Sequence, residues 1–312
     1  MNVHRLEDVP EAREGRAVAM GTFDGVHAGH RRVIGSALDW ARRHGARASV
    51  VTFDPHPLRV LAPDEPPNLL TTTAVKATLI EKLGVDEMIV IPFTPELSKM
   101  EPATFCTDVL VHRLAARHVS VGANFRFGHG AAGDAAFLQS RPEFETEVVP
   151  LVETDGQTVS SSRIRELVAA GAVADAAELL GAPFILEGKV VEGAARGREL
   201  DMPTANLEPP AEVVVPGSGI YAARALLDDG RDVAAAVSIG VRPTFEEAGD
   251  EKVEAHLIGF EGDLYGHGMR IAFLDRLRDE QRFDSAEELA AQMRRDVQQT
   301  VEIAGGARRT AE

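Results

Sequence analysis

Two histidines in one short segment are the residues of this chain best suited to chemistry. His27 and His30 stand three positions apart, and Gly21, Gly25 and Gly29 are spaced around them. The glycines let the backbone turn and approach a phosphate group closely. Two imidazoles at the start of one helix can reach the same ligand and donate hydrogen bonds to oxygens whose negative charge grows during transfer at phosphorus. A single histidine here would be interpreted as a cap or a packing residue, but the pair among glycines favours a phosphate site.

A second polar group lies farther along the chain. Ser160, Ser161 and Ser162 precede a predicted helix, and Arg165 follows one turn later. Hydroxyl groups, the free amides of a helix start and a fixed cation can together hold the outer phosphates of a nucleotide or pyrophosphate. The alternative is an ordinary N-cap followed by a solvated arginine.

A third group combines aromatic and polar side chains. Asn124, Phe125, Arg126 and Phe127 offer one amide, two aromatic faces and one guanidinium group. Such a set can form a ligand site, although either phenylalanine can equally belong to the core. The stiff turn at residues 54–57 is as consistent with a solvated loop as with a site.

These groups fall within an alternation of strands and helices that extends through residue 180. Strand-like segments are 17–20, 48–53, 87–91, 118–122 and 145–152, and helix-like segments are 30–44, 74–83, 102–117 and 162–171. The alternation predicts a Rossmann-like α/β domain, in which ligands bind at the carboxyl ends of parallel strands. The histidine pair lies between the first predicted strand and the first predicted helix.

The pattern changes after residue 182. Short β-rich segments at 185–191, 221–227, 234–239, 253–260 and 269–274 are separated by turns rich in glycine, proline and aspartate. They predict a small antiparallel β-barrel, which a helix over 285–303 completes. We therefore expect two domains, residues 1–182 and 183–312.

Composition excludes several classes of protein. The chain has 312 residues, of which 44% are hydrophobic and 26% charged, as in soluble globular proteins with full cores. No apolar run approaches the roughly 20 residues of a membrane span, and no signal-like segment is evident, so we expect a cytoplasmic protein without a membrane partner. The single Cys106 cannot form an internal disulfide. A net charge of −16 argues against nucleic acid as a partner, but not against a small anionic ligand.

The segment 21–30, Gly-Thr-Phe-Asp-Gly-Val-His-Ala-Gly-His, resembles the HxGH signature of nucleotidyltransferases. In its longer form it resembles the prokaryotic bifunctional riboflavin kinase/FMN adenylyltransferases, or FAD synthetases, and segments 53–57, 121–128 and 159–165 resemble further motifs of that family. The resemblance implies adenylyl transfer from ATP to FMN with catalytic roles for His27 and His30. It assigns ATP binding to Gly21, Phe23, Asp24, Gly29, Ser161, Ser162 and Arg165, and flavin binding to Asn124, Phe125 and Arg126.

The second half resembles riboflavin kinase. Segment 196–207 ends in Pro-Thr-Ala-Asn, and the resemblance implies that Thr204 and Asn206 hold Mg²⁺ and ATP oxygens, for which hard oxygen ligands are suitable. Segment 253–257 resembles the family strand whose glutamate is the general base on riboflavin, here Glu254. Without the resemblance, Thr204 and Asn206 would indicate an ordinary turn, and Glu254 a solvent-facing residue on a half-exposed strand.

The same half departs from the family pattern. Asp201 and Met202 stand where the family has glycine and an aromatic residue, and Glu192 and Ala194 replace members of a His-Gly-Asp run. A carboxylate beside ATP phosphates is unfavourable unless Mg²⁺ screens it. Three interpretations follow: an enzyme for both steps, with ATP, riboflavin and FMN as substrates; an FMN adenylyltransferase with a flavin-binding but kinase-inactive barrel; or a non-catalytic flavin or nucleotide sensor. The catalytic residue types present favour the first, and the sequence does not predict an oligomeric state.

Overall fold

The structure is a computed structural model and describes residues 1–192, 202–241 and 251–307. By its internal contacts the chain divides into two compact units. The first unit comprises Met1–Pro67 and Thr72–Ser161, and the second comprises Asn68–Thr71 and Ser162–Glu312. This division lies earlier than the predicted boundary at residue 182, because the helical segment that follows Ser161 is counted with the barrel.

A six-stranded sheet forms the first unit. Its strands are β1 (Asn2–Arg5), β2 (Arg16–Met20), β3 (Arg47–Asp54), β4 (Glu87–Pro92), β5 (Ala116–Gly122) and β6 (Glu145–Val149). They lie in the order β1-β4-β3-β2-β5-β6, and every neighbouring pair is parallel. The predicted parallel sheet is therefore confirmed. Strand β1 was not predicted, because its largely exposed, mostly polar sequence carries no apolar alternation.

Helices cover this sheet. They are α1 (Ala28–His44), α2 (Pro57–Leu61), α3 (Thr73–Glu81), α4 (Pro102–Thr104, continuing as a π-helix over Phe105–Arg113) and α5 (Ala135–Gln139). Helix α1 ends at Gly45, whose left-handed φ of 62° supplies the C-cap. The helix predicted to reach residue 117 ends earlier, because Leu114 bonds back to the carbonyl of Val109 and Ala115 takes a φ of 49°.

Strand β2 carries the apolar layers on both faces of the sheet. Its five residues are all buried, and alternate positions belong to different clusters. Ala17 and Ala19 pack in the cluster that contains the inner face of α1, whereas Val18 and Met20 pack in the cluster that contains the π-helix. A strand held on both faces fixes the point at which its carboxyl end leaves the sheet.

The second unit is a closed barrel with accompanying helices. Its elements are α6 (Ser161–Ala169), α7 (Val173–Leu180), β7 (Phe184–Val191), β8 (Ala205–Glu208), β9 (Gly219–Leu227), β10 (Asp232–Val241), β11 (Glu251–Leu257), β12 (Gly268–Arg278) and α8 (Ala286–Ala307). The strands close in the order β7-β8-β11-β10-β9-β12, and all pairs are antiparallel. The predicted barrel and final helix are confirmed. Strand β8 and helix α7 were not predicted, and β8 occupies a segment interpreted as a turn.

Large apolar side chains fill the barrel, and α8 is packed on its outside and tied to it by an ion pair. Phe184, Tyr221 and Phe273 are fully buried inside it. Helix α8 packs on β9, β10 and β12. The Arg278 guanidinium, at the end of β12, donates to both carboxylate oxygens of Asp296 on α8, with Nη2 2.7 Å from Oδ2 and Nε 3.0 Å from Oδ1. This forked pair is one specific tie between the helix and the barrel.

Candidate functional site

The loop between β2 and α1 has an unusual backbone. Phe23 has a φ of 48°, Gly25 of 83° and Val26 of 45°. Positive φ is costly for a β-branched residue such as valine, and such strain is typical of functional segments. Arg31 Nε donates to the Val26 carbonyl at 3.1 Å, and Ser161 Oγ donates to the Asp24 carbonyl at 3.0 Å. The loop is thus held from both sides in its strained form.

The two histidines meet at the start of α1. His27 is the N-cap, and its Nδ1 accepts from the backbone N–H of His30 at 3.4 Å. The two rings stack with centroids 3.6 Å apart and planes 17° apart, and the Phe23 ring meets His30 edge-on at 5.3 Å. Because Nδ1 of His27 accepts a hydrogen bond, its neutral ring carries the proton on Nε2. The two predicted histidines are therefore in contact, and the N–H donor of the His27 ring is at Nε2.

Both imidazoles are buried, which sets their charge. Burial lowers the pKa of His27 to about 4, although the nearby Asp24 carboxylate favours protonation. Burial lowers the pKa of His30 well below its ordinary value, and the positive forms of His27 and Lys76 add to that effect. Both rings are neutral at pH 7. Nδ1 of His30 is buried, and it has no hydrogen-bond partner among the described residues.

Two predicted glycines are adjacent to aromatic rings of this site. A Cβ atom at Gly21 would lie 3.2 Å from the ring of Phe23, and one at Gly29 would lie 3.2 Å from Cε1 of His27. Both distances are shorter than an ordinary carbon–carbon contact. These glycines therefore leave room for the rings that form the site.

A buried lysine lies beside this loop and was missed by the sequence analysis. Lys76 of α3 is 5% exposed, and its Nζ donates to the Thr22 carbonyl at 2.7 Å and to Thr52 Oγ1 at 3.2 Å. Burial lowers the pKa of Lys76, while the charges of Asp24 and Asp54 act in the opposite direction. No local pattern marked it, because a lysine within a helix is ordinarily solvated.

The predicted flavin-binding residues follow β5 at the same edge of the sheet. In a parallel sheet the carboxyl ends of neighbouring strands β2 and β5 lie together. Asn124 and Arg126 are exposed there, and the Arg126 guanidinium donates to the Phe125 carbonyl at 3.0 Å. The Phe125 ring stacks on Phe127 at 5.7 Å and packs against the core. The ring of Phe125 thus packs within the protein, while the side chains of Asn124 and Arg126 reach solvent.

The serine-arginine group begins α6. Ser161 contacts the Asp24 carbonyl and belongs with the first unit. Ser162 and Arg165 lie one turn apart on α6, with Arg165 Nη1 3.4 Å from Ser162 Oγ, and both are counted with the second unit. The division of the chain into two units therefore places Ser161 in the first unit, and Ser162 and Arg165 in the second.

The barrel brings the predicted kinase residues together. Asn206 on β8 is the direct register partner of Glu254 on β11, and Ser238 on β10 is the partner of Glu254 on its other side. Side chains opposite each other in an antiparallel pair share a face and lie about 5 Å apart at Cβ. This pairing of Asn206 with Glu254 was beyond the sequence analysis, because β8 itself was not recognised.

A cleft of about 480 Å³ lies beside Asn206, and Glu254 is not among its lining residues. Its lining includes Thr204, Asn206, Phe260 and Tyr265. Asn206 is 7% exposed, and its Oδ1 is buried with no hydrogen-bond partner among the described residues. Buried amide oxygens are usually satisfied, so this atom is available for a ligand.

Two further contacts involve residues close to Asn206 and Glu254 in the sequence. Lys252 Nζ donates to Glu254 Oε1 at 2.7 Å, and His256 Nδ1 lies 3.0 Å from the Pro203 carbonyl, next to Thr204. Glu192 and Met202 are described, whereas Asp201 and Ala194 lie outside the described residues.

Two other kinds of feature are absent from the described parts of the chain. Residues 1–192, 202–241 and 251–307 contain no cluster of three or more histidine, cysteine, aspartate or glutamate side chains suited to a metal ion. Over those same ranges, no helix combines the length and the apolar character that a membrane span requires.

Comparisons with known proteins give a separate match for each half of the chain. A family model described as FAD synthetase matches residues 9–163, and one described as riboflavin kinase matches residues 180–304. The chain is 34% identical over 297 residues to the bifunctional riboflavin kinase/FMN adenylyltransferase of Escherichia coli strain K12, with 94% of each chain covered. It is 35% identical over 298 residues to the protein of that name from Pseudomonas fluorescens, with 95% of each covered.

A solved structure has the same fold over nearly the whole chain. It is a Streptococcus pneumoniae protein described as a macrolide-efflux protein, with a TM-score of 0.85 and 28% sequence identity. The match covers 96% of this chain and 99% of that one.

Proposed function

This chain belongs to the bifunctional riboflavin kinase/FMN adenylyltransferase family, and we propose that its two units each carry one step of FAD synthesis. The barrel phosphorylates riboflavin with ATP to give FMN and ADP. The α/β unit then joins FMN to the adenylyl group of a second ATP and releases pyrophosphate. The substrates are small molecules, and we place the reaction in the cytoplasm, as composition favours.

The stacked pair of His27 and His30 is the observation that carries the adenylyl-transfer proposal. FMN's phosphate is already an anion at neutral pH, so its oxygen can attack the α-phosphorus of ATP without a general base. The bond from that phosphorus to the pyrophosphate oxygen breaks in line, and the enzyme must align the groups and stabilise growing charge. A neutral His27 offers its Nε2–H for this purpose, and His30 lies against it.

The surrounding residues complete this proposal. Gly21, Phe23, Asp24 and Gly29 shape the strained loop and the start of α1, where helix amides favour phosphate. Ser161 supports the loop through the Asp24 carbonyl. We assign Ser162 and Arg165 to the outer phosphates and the pyrophosphate, for which a hydroxyl and a guanidinium are suited. Asn124, Phe125 and Arg126 are assigned to FMN.

The register pairing of Asn206 with Glu254 supports the kinase step. In this proposal a riboflavin hydroxyl bound beside Glu254 gives its proton to that carboxylate as its oxygen attacks the γ-phosphorus, and ADP leaves. Oδ1 of Asn206, which has no hydrogen-bond partner within the described part of the chain, and the hydroxyl of Thr204 are hard oxygen donors, and they fit Mg²⁺. Mg²⁺ held by Thr204 and Asn206 would supply positive charge that neutralises the phosphates of ATP.

His27→Ala and His30→Ala test the first step. Each is expected to lower FAD formation from FMN at least ~10-fold, because each removes a group directed at transition-state charge. FMN formation from riboflavin, in the other unit, should stay unchanged and serves as an internal control. The matched variant His112→Ala removes a histidine whose side chain is 69% exposed and should be neutral. Near-normal FAD synthesis in either site variant would refute the assignment.

Glu254→Gln tests the second step. Loss of a general base within reach of the hydroxyl should lower FMN formation roughly 100-fold or more under saturating Mg²⁺-ATP. FAD formation from supplied FMN should persist in this variant. Phosphorylation that survives the substitution would remove Glu254 from the mechanism.

The departures at Asp201 and Met202 favour a second candidate, an adenylyltransferase whose barrel binds flavin without phosphorylating it. Under that alternative the unaltered chain makes FAD from FMN but no FMN from riboflavin. Asp201→Gly combined with Met202→Phe should then raise phosphorylation, through less repulsion of phosphate and closer backbone approach. A chain that turns over neither substrate would instead support a flavin or nucleotide sensor.

A further inference from the structure

Lys76 is the one lysine with a buried side chain among the residues that the structure describes. It lies on α3, yet its ammonium reaches across to the loop that follows β2. Nζ donates to the Thr22 carbonyl at 2.7 Å and to Thr52 Oγ1 at 3.2 Å, and Thr52 Oγ1 also donates to the Thr22 carbonyl at 2.9 Å. One carbonyl oxygen is therefore held by two donors from two different elements.

Burying an ammonium group is unfavourable unless charges and hydrogen bonds compensate. Here the charges of Asp24 and Asp54 favour the protonated form of Lys76. Asp24 is itself 1% exposed, and Asp54 accepts a hydrogen bond from Thr73 Oγ1 at 2.9 Å. The first unit thus builds an environment for this cation rather than filling the space with an apolar side chain.

The Thr22 carbonyl lies at the start of the strained loop. Thr22 immediately precedes Phe23, the first of the three residues with positive φ that lead to His27. Fixing the Thr22 carbonyl therefore fixes the start of the strained loop that ends at the N-cap. The charge of Lys76 also acts on the His30 ring, since it contributes to the lowered pKa of that histidine.

We propose that Lys76 is a positioning residue for adenylyl transfer, which holds the β2–α1 loop by the Thr22 carbonyl and adds a positive charge beside the histidine pair. The ligand that this charge serves is a nucleoside triphosphate, whose own charge is strongly negative. This inference rests on the function proposed for the first unit.

Three variants separate the parts of the proposal. Lys76→Met removes the charge and the donors, and it should lower kcat for FAD formation from FMN ~10–100-fold, as expected for misplaced catalytic groups. Lys76→Arg keeps the charge and should retain more activity than Lys76→Met. Lys82→Met, just after α3, is the matched control, because Lys82 is exposed and should be neutral.

A purely structural role is distinguished by two readouts. FMN formation from riboflavin should be unchanged in Lys76→Met. Titration of the histidine ring signals by NMR should move His30 to a higher pKa in that variant, because the charge of Lys76 no longer opposes protonation. Activity within about 2-fold of the Lys82→Met variant would overturn the proposal. Equal activity of the arginine and methionine variants, or an unmoved His30 pKa, would overturn the electrostatic part.

If Lys76→Met does not fold, Thr52→Val serves instead, because it leaves the lysine in place and removes one of its two partners. It should lower FAD formation about 3- to 10-fold, and an unchanged rate would overturn the proposal. The function itself is judged separately. Loss of FAD synthesis in His30→Ala together with normal synthesis in Lys76→Met refutes only the role of Lys76, whereas an unaltered chain without FAD synthesis refutes the function.

Discussion

Replacing Gly29 with alanine should separate the stability of the first unit from its chemistry. Gly29 is the second residue of α1, so its backbone is already helical. An added methyl carbon would lie 3.2 Å from Cε1 and 3.3 Å from Nδ1 of His27. Carbon atoms in good contact lie about 3.5–4.0 Å apart, so the ring of His27 must move by several tenths of an ångström.

The two effects of this substitution differ in sign and size. Alanine is favoured over glycine within a helix by up to about 1 kcal/mol, which offsets the crowded contact and should leave the thermal midpoint unchanged or slightly raised. Catalysis is more sensitive, because a misplacement of about 1 Å can cost roughly 100-fold in rate. A smaller displacement of His27 should therefore lower kcat for FAD formation about 10-fold.

The assay is FAD formation from FMN at saturating ATP, measured beside thermal unfolding. Gly35→Ala is the matched control, because Gly35 lies in the same helix and an added Cβ would meet nothing within 4 Å. It should raise stability without changing kcat. The reasoning fails if Gly29→Ala keeps normal kcat, or if it loses activity only because the first unit unfolds.

Three further perturbations have expected outcomes. Burial lowers the pKa of His27 to about 4, so protonation of His27 alone should lower the free energy of unfolding by up to about 3 kcal/mol as the pH drops from about 6.5 to about 4. Urea unfolding across that range measures the dependence, and His27→Gln should make it smaller, while the share of His30 remains. Asp296→Asn leaves the buried end of Arg278 without its carboxylate and should destabilise the barrel by roughly 3 kcal/mol, whereas the exposed Asp279→Asn should cost little. Asn206→Leu removes a buried amide whose Oδ1 has no hydrogen-bond partner among the described residues, so thermal unfolding should show a barrel as stable as before or ~1 kcal/mol more stable, while phosphorylation of riboflavin is lost. A clear fall in stability would mean that the amide has a structural partner.

The contact between His27 and His30 was predictable because its signals are local. His27, His30 and the glycines lie within ten residues at one strand–helix junction, and the α/β alternation indicates which edge of the sheet that junction occupies. Lys76 was not predictable, because its burial depends on the distance between α3 and the ends of β2 and β3. Helical periodicity alone gives no reason to bury a lysine.

The barrel shows a different limit. Its fold class followed from alternating segments and turns, but strand β8 has only four residues and was interpreted as a turn. The pairing of Asn206 with Glu254 depends on the register between β8 and β11, and a shift of one residue would place one side chain on the opposite face. Such a register is set by the closed barrel as a whole, so composition and spacing alone do not reveal it.

The division of the chain into units has a consequence for how the two activities could be taken apart. Residues Asn68–Thr71 belong with the barrel unit although they lie within the α/β half of the sequence, so the polypeptide passes between the units three times. Leu69 forms a bridge with Val213, and Leu70 is 1% exposed. A fragment ending at residue 182 would carry this segment without Val213. A single break in the sequence therefore does not separate the two units. An adenylyltransferase unit produced on its own would need a redesigned segment at Asn68–Thr71 as well as a new C-terminus.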